Sequence, residues 1–165
     1  MGQTTNLGVE RLFTPKKSKA YDQLKWVKRD SIIKNPGTGK NVFEQLGVEF
    51  PEGWSLNAIN IVSQKYFSGT PGTPERESSL KDLIDRVVDT VTRQGLQEGY
   101  FESDAEAEDY REELKYILAT QRAAFNSPVW FNIGVKSARN RQALVSSLVS
   151  KILCQLSLIG MSKKA

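Results

Sequence analysis

Between residues 80 and 91, apolar side chains fall at Leu80, Leu83, Ile84, Val87, Val88 and Val91, with polar or charged residues between them. Recurrence at i, i+3, i+4 and i+7 marks a helix with one buried stripe, and it predicts a helix opened by Ser78 or Ser79 and closed by Gly95. A second stripe, Ala58, Ile59, Val62 and Tyr66, follows Ser55. The Ser55 side chain can accept from the unpaired N–H groups of a first turn, so a helix is expected from there to Gly69. A third helix starts at Ser103, which forms a capping box with Glu106. Its core face is Tyr110, Leu114, Ile117, Leu118 and Gln121, and it is expected to run to Phe125. Pro and Gly keep the intervening "GTPGTPERE" a loop.

The period changes in the first fifty residues. "LGVERLF" reads as a short strand that Pro15 stops. "KWVKRDSII" and "NVFEQLGVEF" flank Asn35-Pro-Gly-Thr-Gly, a turn signal that predicts a hairpin. The "GTGK" there lacks the glycine spacing of a phosphate loop and has no Ser or Thr after Lys40, so a turn is the better reading. The expected fold is mainly α with a short N-terminal β-hairpin. It divides into strands and hairpin over 1–50, helices over 51–135, and a loop and tail over 136–165.

"AAFNSPVWFNIG", residues 123–134, sets a polar triplet among Phe125, Trp130 and Phe131. Pro128 disfavours the helical conformation in the residue before it, so the third helix should stop at Asn126 or Ser127. That places Ser127 at a helix-to-strand corner, with the three aromatics fixing it in the core. A rigid polar corner in apolar packing suits a phosphate or sugar hydroxyl. The alternative is an Asn/Ser cap that serves only the local backbone, and spacing by itself favours that alternative.

Composition narrows the chemistry. The 165 residues are enough for one domain with its own core. The net charge of +4 is unevenly spread: residues 75–113 hold thirteen of the nineteen acids, and 114–165 hold none. A basic end can signal a nucleic-acid partner, but a solvated, biased surface is the commoner cause. One Cys and no His exclude an internal disulfide, a Cys/His zinc site, a Ser-His-Asp triad and a Cys-His pair. No metal site is expected. Residues 1–19 contain no apolar run, and Asn6 stands where a myristoylation motif needs Ser or Thr. The expectation is a cytoplasmic protein with no membrane partner.

Taken together, "RLFT", "KWVKRDSII", "WSLNAINIVSQKYF", "GTPERESSLKDLIDRVVDTV" and "GYFESDAEAEDYREELKYILATQRAAFNSPVWFNIG" resemble the start of the bacterial adenosylcobalamin-dependent (class II) ribonucleotide reductases. The resemblance runs over residues 7–136, and its specificity lies in the order and spacing of the blocks. It implies a helical N-terminal region leading into a ten-stranded α/β barrel. It also implies adenosylcobalamin as cofactor and a thiyl radical that takes the 3′-hydrogen of a ribonucleotide, with two further cysteines as reductants. The "NSP" match makes Ser127 a substrate-binding residue near the diphosphate, with Asn126 as its neighbour, and leaves Pro128, Trp130 and Phe131 as scaffold. The implied partners are a ribonucleotide and, to complete the enzyme, a separate chain carrying the barrel.

After Gly134 the pattern departs from the family. A block with the first reducing cysteine should follow, but "QALVSSLVSKILCQLSLIGMSKK" stands there instead. Read one nucleotide out of register, residues 144–155 are compatible with SCFILSVEDTMS, the missing block with its cysteine. Residues from about 143 therefore read as an out-of-frame tail, and Cys154 as an accidental thiol, so no catalytic residue is expected in this chain. The rival is a genuine amphipathic helix, since Leu144, Val145, Leu148, Val149, Ile152, Leu153 and Leu156 recur at helical spacing. That rival would make the protein a non-catalytic helical binding module with a basic tail. The tail lacks the interleaved aromatics that would favour binding of single-stranded nucleic acid, so such a partner is not expected.

Overall fold

The computed structural model describes residues 8–135 together with Lys151 and Ile152. The rest of the expected tail, Cys154 included, lies outside the described residues, as does Asn6. The chain divides into two compact units, residues 24–84 on their own and residues 8–23 with those from 85 onward.

In the first unit, β1 (Trp26–Lys34) pairs antiparallel with β2 (Asn41–Pro51), from Trp26↔Pro51 to Lys34↔Asn41. The turn forms where Asn35 predicts it. Its side-chain oxygen accepts from the N–H groups of Gly37 and Thr38 at 2.8 and 3.1 Å, and its own N–H donates to the Lys40 carbonyl at 2.8 Å. Between Arg29↔Val48 and Ser31↔Gln45, Asp30 stands opposite both Leu46 and Gly47, which is a β-bulge. Gly47 takes φ +65°, and its N–H donates to the Asp30 carboxylate at 2.9 Å.

α1 (Leu56–Lys65) starts as expected at Ser55, whose Oγ accepts from the Ala58 N–H at 3.2 Å. Ile59 is fully buried on its inner face. The helix stops at Lys65, short of the expected Gly69. Arg76 supplies the reason. Its guanidinium donates to the carbonyls of Ser63, Phe67 and Gly69, giving the chain beyond the helix partners outside any helical turn. Phe50 centres the apolar packing, with its ring 5.3 Å from Trp54 and 5.8 Å from Phe67.

α2 (Leu80–Gln97) confirms the stripe, because all six of its apolar residues are at most 2% exposed. Ser79 Oγ accepts from the Lys81 N–H at 3.1 Å, while the Asp82 carboxylate accepts from the Ser79 N–H at 3.0 Å. Gly95 does not end the helix. An interior glycine costs only about 1 kcal/mol. The turn comes at Gly99, φ +74°, where the Tyr100 N–H reaches back to the Gly95 carbonyl at 2.9 Å.

α3 (Asp104–Ala119) begins at Ser103 as expected, with Oγ accepting from the Glu106 N–H at 3.2 Å. Tyr110, Leu114, Ile117 and Leu118 are buried. The helix ends six residues before Phe125, and Gln121 is exposed rather than in the core. Gln121 takes φ +58°, and the Arg122 and Gln121 N–H groups donate to the carbonyls of Ile117 and Leu118 at 3.0 and 3.2 Å. This is a Schellman stop built on a residue other than glycine.

The stretch expected as a strand at 7–13 is irregular over its described residues, apart from a single bridge at Val9. Carboxylates of α3 take the backbone donors that a neighbouring strand would have taken. Glu113, fully buried, accepts from the N–H groups of Leu12, Phe13 and Thr14 at 2.8 Å each and from Thr14 Oγ1 at 2.5 Å. Glu106 accepts from the Val9 N–H and Glu112 from the Ala20 N–H, both at 2.6 Å. Arg11 Nε pairs with Asp109 at 2.5 Å.

Candidate functional site

The Asn-Ser-Pro corner forms, but with a different geometry from the one expected. It joins a loop to a short helix, α4 (Ser127–Asn132), not a helix to a strand. Pro128 lies in the first helical turn, where the N–H it lacks would have had no intrahelical partner. The residue that predicted a stop therefore helps start a helix. The bias it places on Ser127 is outweighed by the packing that follows.

Asn126 is the N-cap residue, with φ −69° and ψ 160°, yet its exposed side chain makes no capping hydrogen bond. Ser127 is half-buried and engaged within the chain. The two predicted site residues thus lie side by side at the start of α4.

Two of the three expected aromatics bracket this corner, and Phe131 does not. Val129 and Ile133 are buried, whereas Phe131 is 50% exposed. Phe125 and Trp130 are half-buried and meet edge-on at 5.5 Å, with Trp130 Nε1 donating to the Phe125 carbonyl at 2.9 Å. Because α4 is helical, residues four apart share a face, so 129 and 133 turn inward together and 131 turns out. Asn132 is buried and donates from Nδ2 to the Pro128 carbonyl at 2.7 Å.

The far end of α4 is held by two residues that the sequence pattern did not single out. Arg86 Nη1 donates to the carbonyls of Ile133 at 2.7 Å and Trp130 at 3.1 Å. Gly134, at φ +70°, lies so close that a Cβ there would be 2.4 Å from the Arg86 carbonyl oxygen. A glycine closing a short apolar run is a readable helix stop. Arg86, one of three bases spread along α2 among three acids, carries no such local signal.

α2 and α3 share a charged cluster. Lys115, with its side chain 5% exposed, meets Asp85 at 2.6 Å and Asp89 at 3.4 Å, and Arg111 meets Asp89 at 2.7 Å. Burial would raise the Asp89 carboxyl, but the Arg111 hydrogen bond and the Lys115 charge outweigh it and hold it below the usual carboxylate range. Burial, reinforced by Asp85 at 2.8 Å, pushes the Tyr21 phenol far upward. Every member of the cluster has a partner of opposite charge or a hydrogen bond, as a structural ion network requires. Among the described residues no group of three or more His, Cys, Asp or Glu is placed to hold a metal ion.

The family described as class II vitamin B12-dependent ribonucleotide reductase matches residues 27–121. The chain belongs to that family. Vitamin B12-dependent ribonucleotide reductases of Streptomyces coelicolor and Streptomyces clavuligerus are 52% and 50% identical to it over 128 and 131 residues. That of Rhodopirellula baltica is 39% identical over 136. These alignments cover 78%, 79% and 81% of this chain but 13%, 14% and 13% of the relatives. The chain thus spans about an eighth of the length of the curated relatives it matches. The family match ends at 121, short of the Asn126–Ser127 corner. Among the described residues, no helix is long and apolar enough to cross a membrane.

Proposed function

We propose that this chain is the helical N-terminal part of a ribonucleoside-diphosphate reductase that uses adenosylcobalamin, and that it contributes substrate contacts without performing the reduction itself. The observation that carries this reading is the 52% identity over 128 residues to a reductase of which those residues are only 13%. In the complete enzyme the segment leads into the ten-stranded barrel, which holds the reacting thiols. Ser127 donates its hydroxyl to a phosphate oxygen of the ribonucleotide, and the exposed Asn126 amide lies beside it.

The sequence has no His that could serve as a protein ligand to the cobalt of cobalamin, which the corrin ring otherwise holds. The cofactor is assigned to the rest of the enzyme, and no step is routed through it here.

Reduction by the family's chemistry needs a radical thiol and a reducing pair, and this chain has one Cys. Purified chain supplied with adenosylcobalamin, ribonucleoside diphosphate and a dithiol should form no deoxyribonucleotide. Turnover that survives Cys154→Ala would overturn this.

In the complete enzyme, Ser127→Ala removes one hydrogen bond to a charged partner, worth about 1.5–3 kcal/mol. Catalytic efficiency should fall roughly 10- to 150-fold at 1.36 kcal/mol per decade. If the hydroxyl serves only the local backbone, stability falls by about 1 kcal/mol instead. Kinetics and melting measured on the same variant separate the two. Unchanged efficiency with a lowered melting point would remove Ser127 from the substrate site.

A further inference from the structure

We infer that Arg86 is a positioning residue for the ribonucleotide, acting through α4 on the Asn126–Ser127 corner; this rests on the substrate role proposed above. A helix of six residues is far below the length that holds itself together in water. It needs an external grip at each end. Val129 and Ile133 bury one face, but burial fixes neither its tilt nor its position along the axis.

Arg86 supplies that constraint. A single nitrogen, Nη1, donates to the Trp130 and Ile133 carbonyls at the C-terminal end, where a cation is favoured by the helix dipole. Its own backbone is fixed: Val87 and Val88 are fully buried, and Thr90 Oγ1 donates to the Arg86 carbonyl at 2.8 Å. The approach is one that only glycine at 134 allows, since a Cβ there would also stand 2.6 Å from Arg86 Cγ and 3.0 Å from Thr90 Oγ1.

α4 therefore behaves as a short rod. Arg86 holds one end, and Asn126 and Ser127 occupy the other, about 9 Å away at 1.5 Å per residue. A displacement of about 1 Å at a substrate-holding group can cost on the order of 100-fold in rate. Arg86 meets no substrate in this scheme; its effect passes entirely through the helix.

The test has two readouts. In the 165-residue chain, Arg86→Met should speed amide exchange over residues 129–134 about 10-fold or more, while α2 and α3 keep their protection. In the complete reductase, the same change should raise KM for a ribonucleoside diphosphate roughly 10- to 100-fold. Arg86→Lys, which keeps the charge but ends one bond shorter, should fall between parent and Arg86→Met in both. Should Arg86→Met fail to fold, Arg86→Lys carries both measurements. Arg86→Met combined with Ser127→Ala should be no worse than the poorer single variant, because both act on one contact.

Unchanged exchange in Arg86→Met overturns the inference. So does a KM that stays at the parent value in Arg86→Met while Ser127→Ala raises it, or strict additivity of the two changes; the substrate role of the corner then stands. Ser127→Ala without effect on KM removes that role, and the inference falls with it.

Discussion

Glu113→Ala is expected to destabilise the protein by about 3–5 kcal/mol, because it breaks a buried hydrogen-bond network built on one carboxylate. The carboxylate is fully buried and accepts four hydrogen bonds, three from successive backbone N–H groups and one from a hydroxyl. Alanine would leave those buried donors without their acceptor. Each buried donor so stranded costs about 1–3 kcal/mol before relaxation, so the total is bounded by how far residues 12–14 swing out to water. Glu113→Gln keeps the size but turns an NH2 group toward donors, and should lose roughly half as much. Urea unfolding gives the magnitude, and limited proteolysis should show cleavage moving into residues 8–20. A loss below about 1 kcal/mol for Glu113→Ala would mean that the segment is held by other contacts. Glu108→Ala is the matched control: its side chain is 39% exposed, and a pair of that kind is worth under about 1 kcal/mol.

The second large effect is expected at Val87→Asp. Val87 is fully exposure-free in the middle of the stripe, with Val88 and Val91 also at 0% and Ile84 at 1%. A carboxylate there has no cation among those neighbours, so it must either stay buried and unpaired or pull the helix apart. The cost should be several kcal/mol, enough to remove most of the cooperative transition in a domain of marginal stability. Helical circular dichroism and melting curves check it. A variant with the parent's signal and midpoint would show that the stripe is not the core of the fold.

What the sequence makes legible follows how far each feature depends on near neighbours. Ser55, Ser103 and the Asn35 turn act within four residues, so pattern and chemistry locate them. The stripe of α2 is nearly as local, because helical periodicity alone puts its six residues on one side. Glu112, Glu113 and Lys115 show the limit. In the sequence they are ordinary members of a charged run, which reads as a solvated face, yet all three are buried. Their partners lie at residues 12–14 and 20 and at Asp85 and Asp89, separations that no local rule reaches.

At the corner, the constraint was legible and the geometry was not. Pro128 does mark a discontinuity, but a proline is equally at home ending one helix or entering another. Which it does depends on Val129, Ile133 and the Arg86 contact. The error over Phe131 has the same root: extended and helical backbones turn opposite residues inward.

The Glu113 contacts also bear on the order in which a ribosome delivers this protein. They join residues 99 to 101 positions apart. The acceptor of residues 12–14 is made about a hundred codons after them, some 5–20 s at ordinary translation speeds. Throughout that interval the leading segment lacks this acceptor and is available to chaperones and proteases. In vectorial synthesis, residues 12–14 thus wait about a hundred codons for the carboxylate that locks them.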